Sequence, residues 1–498
     1  MASLAERLEP ASMAACLLPA AIVSCGLLCA GSAVAQSGTA ERVTAEPVIE
    51  WDDVNAEALR HFRTLVQFDT SDPPGNERPA VDYLRSVLVN EGIPVEIYAL
   101  EDHRPNLVAR LRGTGNEEPL LIMAHTDVVN VDESKWDHPP FGAVIDGPHI
   151  YGRGTVDDKD TLTASLMTML LLARNQVPLE RDVIFLAESG EEGTTRVGIE
   201  YMVNNHFDAI AAEYCIAEGG GVTRAGGAVR YASVQTTEKI PNGIDLVARG
   251  PAGHGSVPLQ DNAVTHLAQA IVAVTQWQPP VVLGDTTRAY FTRLAELSPP
   301  ETARHYRGVL SLDAEVVDAA DAWLRANEPR HASMLRTSVS PNVLEGGYRN
   351  NVIPSEARVT LDVRMRPDED ADEFIAELMR VIDDPAVTAQ FNGWPGSVTG
   401  EPRDGGESGI DNEAFSVVEA AVRRHYDTTT LPTMSTGATD MAFLRATGME
   451  CYGVGPAIDI EDGPLGYGAH SDQERILEAE LYRFLQFHWD IVLNLAAR

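Results

Sequence analysis

The 498-residue chain carries 74 acidic side chains against 38 Lys and Arg, a formal net charge of −36. That balance excludes nucleic acid as a partner, because such binding rests on basic patches that release counterions. With 44% hydrophobic and 22% charged residues the chain has the composition of a folded protein, and its length calls for two domains rather than one core.

The stretch from Met13 to Ala30 is almost wholly apolar, and Ala33-Val34-Ala35 has the small-x-small form of a signal-peptidase site. Residues 1–35 therefore read as a signal peptide, short for a membrane anchor, which predicts export to the periplasm or the exterior. No stable membrane anchor is expected after its cleavage. Ile22-Val23-Ser24-Cys25 also resembles a lipobox, which would instead place a lipid on Cys25. Cys215 and Cys451 are the two cysteines beyond this segment, read as buried free thiols with one disulfide as the alternative.

Helical spacing (Leu59, Phe62, Leu65, Val66) marks residues 53–67, and a second amphipathic helix covers 78–91. Strands are expected at 95–98, 106–110 and 119–124, an apolar helix at 160–175, and further strands at 182–188, 214–218 and 229–235. Strands alternating with helices predict an α/β fold with a mostly parallel central sheet flanked by helices. Near residue 240 the pattern changes to alternating strands (243–249, 357–365, 387–391) with helices at 262–275 and 371–382. That is a small α+β unit with one exposed sheet face, and residues 281–343 within it read as a Pro-rich irregular extension. Apolar helices return at 414–425 and 441–446, with a strand at 451–454 and a terminal helix from 476. The expected domains are thus 41–240 and 401–498 sharing one sheet, with 241–400 inserted between them.

Polar residues collect at the ends of these strands, where open α/β sheets place their sites. His125 and Asp127 end PLLIMAHTD, and Gly152-Arg-Gly154 permits a tight turn before Asp157, Asp158 and Lys159. Glu191 and Glu192 follow the strand DVIFLAE between Gly190 and Gly193, which free the backbone to present two neighbouring carboxylates together. Glu218 precedes three glycines, and His470 lies in the Gly-rich GYGAHSDQE. Two imidazoles and three carboxylates (His125, Asp157, Glu192, Glu218, His470) suit zinc, with cobalt or manganese as substitutes. Two ions need a bridging ligand, and Asp157 is the candidate. Asp127 would accept the spare N–H of His125, leaving Glu191 unligated as a general base.

The strings HTDVV, GRGTVDDK, SGEEG, AEGGG, GPAGHGS and GAHSD, in this order, resemble the co-catalytic zinc exopeptidases. That family contains carboxypeptidases G and S, acetylornithine deacetylase, succinyl-diaminopimelate desuccinylase and aminoacylase. The resemblance implies a zinc-exopeptidase catalytic domain with an inserted α+β lid that forms homodimers in many members. It implies one zinc on His125, Asp157 and Glu218, and a second on Asp157, Glu192 and His470. Glu191 would be the base and Asp127 the support of His125. His254 would polarise the scissile carbonyl, Asn351 and Arg364 would contact substrate, and Gly437 would line a pocket for the substrate carboxylate.

The expected reaction is hydrolysis of an amide next to a carboxylate-bearing amino acid, in a small peptide or an N-acyl amino acid. Two alternatives remain. An aminopeptidase of the related dizinc fold would bind a free amine instead. A non-catalytic metal-binding protein would use zinc only structurally, which suits Cys-rich sites better than this carboxylate set.

Overall fold

The computed structural model describes residues 48–392 and 405–497. The expected signal peptide and the end of the inserted unit, residues 393–400, lie outside the described residues. A ten-stranded mixed sheet organises the rest. At its centre four parallel strands run in the order Val183–Glu188, Leu120–His125, Tyr214–Ala217 and Glu450–Gly453. The runs VIFLAE and LLIMAH are buried at every position, as strands covered on both faces require.

Arg104–Leu111 and Val95–Glu101 extend this centre antiparallel on one side. On the other, Ala228–Glu238 brings in Gly221–Ala225, Ala457–Asp459 and Thr430–Ser435. Successive side chains alternate between two layers. Leu120, Ile122 and Phe185 pack with Leu162, Leu166 and Phe484 of the helices Lys159–Arg174 and Glu478–Ala496. Leu121, Met123 and Leu186 pack with Ile199, Met202 and Met441 on the opposite face. Cys215 and Cys451 oppose one another on neighbouring parallel strands as buried free thiols.

Through Lys239 the strand Ala228–Glu238 passes directly into Ile240–Arg249. This second strand belongs to a separate four-stranded antiparallel sheet with Ser338–Gly346, Glu356–Met365 and Val387–Phe391. Ala263–Gln276 and Ala371–Ile382 supply its helical layer, with Leu267, Phe374 and Leu378 on Leu246, Val359 and Leu361. Buried and half-exposed residues alternate along Glu356–Met365, as its sequence predicts.

Residues 281–343 differ from expectation. They form the helices Asp285–Leu297, Pro300–Val309, Ala314–Asn327 and Pro329–Ser333 before the strand Ser338–Gly346. Phe291, Leu294, Tyr306 and Leu324 of these helices pack on Leu431 and Met434, so the insertion docks on the large sheet's edge strand. The prolines read as breakers are helix starters: Pro300 and Pro329 sit in first turns, where a missing N–H leaves no bond unmade. The strand Thr430–Ser435 was also unforeseen, because Pro432 masks it; it pairs at the sheet's outer position, where proline is tolerated. No helix among the described residues is long and apolar enough to cross a membrane.

One packing feature fixes an acid response. His488 of the terminal helix is fully buried, with Nδ1 2.9 Å from Thr168 Oγ1. Burial lowers its pKa to about 3. The unfolded chain takes up this proton near pH 6.5 and the folded chain does not, so stability falls as pH drops from 6.5 towards 3. The expected loss is on the order of 3 kcal/mol near pH 4. Urea titrations of His488→Gln should show a shallower fall over that range; an unchanged slope would remove His488 from the account.

Candidate active site

The carboxyl ends of the central strands converge on one point. His125 is the last residue of its strand, and its Nε2 lies 3.1 Å from Asp157 Oδ1. Asp157 comes from the turn just before the helix Lys159–Arg174. His470, 345 residues beyond His125 in sequence, places Nε2 2.9 Å from Asp157 Oδ2 and 3.1 Å from Glu192 Oε1. His470 thus touches both Asp157 and Glu192. His125, Asp157 and Glu192 can each bring one ligand atom within 4.8 Å of the others, and so can His125, Asp158 and Glu218. Glu218 therefore groups with His125 through Asp158, a residue to which the sequence reading gave no role. Asp158 also accepts the backbone N–H of His125 at 3.2 Å.

The geometry divides the work expected of Asp127. Its backbone carbonyl lies 3.0 Å from His125 Nδ1, and its Oδ1 stands 3.6 Å from the same nitrogen. Its carboxylate accepts the N–H groups of Gly190 (2.8 Å), Glu191 (3.3 Å) and Glu192 (3.0 Å). Asp127 thereby fixes the turn that carries both glutamates. Gly190 makes this turn possible at φ 85°, where a Cβ would also meet Thr194 O at 2.5 Å. No side-chain hydrogen bond occupies the carboxylates of Glu191 or Glu218 among the described residues.

Two buried ion pairs hold the loops. Glu474, four residues after His470, pairs with Arg153 at 2.5 Å and accepts Val156 N–H at 2.9 Å. It ties the His470 loop to the turn that carries Asp157. Glu238 pairs with Arg445 at 3.0 Å and accepts Thr439 N–H at 2.7 Å, fixing the STGATD segment. Sequence reasoning also missed Glu188 and Asp440, two buried carboxyls beside this site; burial first, then the charge of Asp440, holds Glu188 well above the usual range.

The electrostatics show surplus negative charge. Burial, then the neighbouring Glu218 charge, raises Glu191 well above the usual carboxylate range; burial, then Asp157, does the same to Glu218. Burial also pushes Asp157 up, yet the hydrogen bonds from His125 and His470 outweigh it and the net shift is downward. Hydrogen bonds to Asp157 and Glu192 push His470 up to about 10. Nitrogen and carboxylate donors with more negative charge than two imidazoles can offset fit divalent cations of the zinc type.

Of the four residues expected to meet substrate, three stand on the inserted unit and Gly437 on the STGATD segment. His254 and Asn351 are exposed neighbours on the inserted unit, joined by Gly255 N–H donating to Asn351 O at 2.8 Å. His254 Nδ1 accepts from the Ser256 hydroxyl at 2.7 Å. Arg364 pairs with Asp362 at 2.9 Å on the second sheet. Gly437 is exposed, its N–H on Ser435 Oγ at 3.2 Å.

Among known proteins, residues 121–494 match Peptidase family M20/M25/M40. The chain belongs to this family. It is 25% identical over 386 residues to a probable carboxypeptidase S-like 2 of Dictyostelium discoideum, covering 76% of this chain and 72% of that protein. It is 26% identical over 276 residues to the N-fatty-acyl-amino acid synthase/hydrolase PM20D1 of Homo sapiens, covering 54% of each. The M20 metallo-carboxypeptidase Sso-CP2 from Sulfolobus solfataricus shares its fold, with a TM-score of 0.66 at 21% identity over 88% of this chain and 98% of that one. The M20 chain is accordingly a metallo-exopeptidase or amidohydrolase.

Proposed function

We propose that this M20 enzyme hydrolyses the amide between an acyl or peptidyl group and an amino acid with a free carboxylate. The observation that carries the reading is the uncommitted Glu191, held by Asp127 beside a cluster of imidazoles and carboxylates drawn from distant parts of the chain. His125, Asp157, Glu218, Glu192 and His470 would hold two zinc ions, with Asp158 close to the first group. Bound, the ions supply the Lewis acidity that brings a water to a reactive state near neutral pH and steadies the developing oxyanion.

Glu191 removes the proton from the attacking water and delivers it to the leaving amine. Asp127 keeps Glu191 and Glu192 in register through three N–H bonds. His254, Asn351 and Arg364 stand on the inserted unit, which we assign as a lid. They would reach substrate on lid closure or across a homodimer. Gly437, with its bare backbone, would face the substrate carboxylate.

The names of the Dictyostelium and human relatives support an amide next to a carboxylate. Export through the signal-peptide-like segment at residues 1–35 is part of the same proposal. The test is a panel of N-blocked dipeptides, N-acyl amino acids and their C-terminal amides, with free-amine peptides alongside. Blocked substrates with a free carboxylate should be cut and their amides spared. Preference for a free amine, indifferent to the carboxylate, would favour an aminopeptidase.

A further inference from the structure

The turn that presents Glu191 and Glu192 is held at both ends. Asp127 takes its leading end through the N–H of Gly190. Its trailing end closes where Thr194 N–H donates to Gly190 O at 2.9 Å. There the Thr194 hydroxyl donates to Asp72 Oδ1 at 3.1 Å. Asp72 belongs to the two-residue strand Ser71–Asp72, which pairs in parallel with Val128–Val129, directly after Asp127. Both holds therefore start from neighbouring points of one short ladder.

Asp72 is itself set by Arg104, the first residue of the strand Arg104–Leu111. Arg104 is 2% exposed, and Asp72 and Glu77 are buried with it. Its Nη2 donates to Asp72 Oδ2 at 2.9 Å, and its Nε donates to Glu77 Oε1 at 3.0 Å. A rigid fork meeting two carboxylates fixes direction as well as distance, which a lysine does not. Gly75 leaves the room for it: a Cβ there would stand 2.2 Å from Arg104 Nε. Burying one cation with two carboxylates adds little net stability, because desolvation offsets the attraction. What it supplies is orientation.

The next two residues grip the same turn from its flanks. Pro105 O accepts the Ser189 hydroxyl at 2.7 Å, and Asn106 Oδ1 accepts the Ser189 N–H at 3.1 Å. Asn106 Nδ2 donates to Val197 O at 2.8 Å. Residues 104–106 thus reach Ser189, Val197 and, through Asp72, Thr194, on both sides of the two glutamates.

We propose that Arg104 is a positioning residue of the active site: through Asp72 and Thr194 it sets the trailing end of the turn that aims Glu191 and Glu192. This inference rests on the general-base reading above.

Removing Arg104 strands two buried carboxylates and endangers the fold, so the test is made at the far end of this series of bonds. Thr194→Val keeps the shape and loses the hydroxyl; Thr194→Ser keeps the hydroxyl. With zinc saturating, Thr194→Val should lower kcat about tenfold and leave KM within about twofold, since a misplacement of about 1 Å costs on the order of 10²-fold. Thr194→Ser should restore the rate. In a Glu191→Gln background the valine exchange should cost less than about twofold, because residues acting as one unit are not additive. Zinc titration of the metal-stripped chain reads the turn without turnover, through Glu192: affinity should fall about three- to tenfold in Thr194→Val. An unmoved kcat, a loss that serine does not repair, a loss undiminished in Glu191→Gln, or an unmoved zinc affinity overturns the positioning role and leaves Glu191 as the base. Parent-like turnover in Glu191→Gln itself overturns the general-base reading and this one with it.

Discussion

Replacing Glu191 with Gln should leave the chain folded and metal-loaded while lowering kcat by about 10²- to 10⁴-fold, the range contributed by a positioned general base. The exchange is isosteric, and among the described residues no side-chain hydrogen bond is spent on this carboxylate. The backbone N–H stays on Asp127 Oδ1, so the turn and its neighbour Glu192 keep their places. Burial and Glu218 both oppose the charge on Glu191, so the melting temperature of the metal-free chain should hold or rise. Metal content, thermal melting and turnover read the three parts separately. Turnover within tenfold of the parent enzyme would take the base role from Glu191.

Asp157→Ala should be the most damaging single change to the site. Among the described residues Asp157 touches both imidazoles, His125 at 3.1 Å and His470 at 2.9 Å, and so joins the two halves of the donor set. Its loss removes the carboxylate that both imidazoles face, so the two halves of the donor set no longer share a group. Changes one layer out from a metal cost roughly 10- to 100-fold in affinity, so a bridging ligand should cost more. At least one ion should be lost and activity should fall to background. Asp127→Asn is the milder comparison: it keeps the carbonyl on His125 but weakens the hold on the glutamate turn. Retention of two tightly bound ions in Asp157→Ala would refute the bridge.

Residues of this cluster were legible where they end an apolar run or sit between glycines. LLIMAH ends on His125, VIFLAE leads to Glu191 and Glu192, and YCIA precedes Glu218. Period-two reasoning placed Asp127 on the face of His125, where its Oδ1 stands 3.6 Å from His125 Nδ1, but it gave no sign that the same carboxylate also holds the Gly190 turn. The helices of residues 285–333 were hidden by prolines whose helix-starting role depends on the packing that follows them. Glu238 with Arg445, and Glu474 with Arg153, carry no local signal, since each pair is made by elements far apart in sequence. Where His254 and Asn351 stand relative to the metal cluster depends on how the inserted unit is carried, which no local pattern encodes.

The central claim is that the cluster around Asp157 binds two catalytic cations. Stripping the purified chain with a chelator and titrating zinc back, with bound metal and blocked-dipeptide turnover followed together, tests it most directly. Activity should return in step with occupancy and saturate at two ions per chain. Full turnover with the metal removed, or saturation at a single ion, would contradict it.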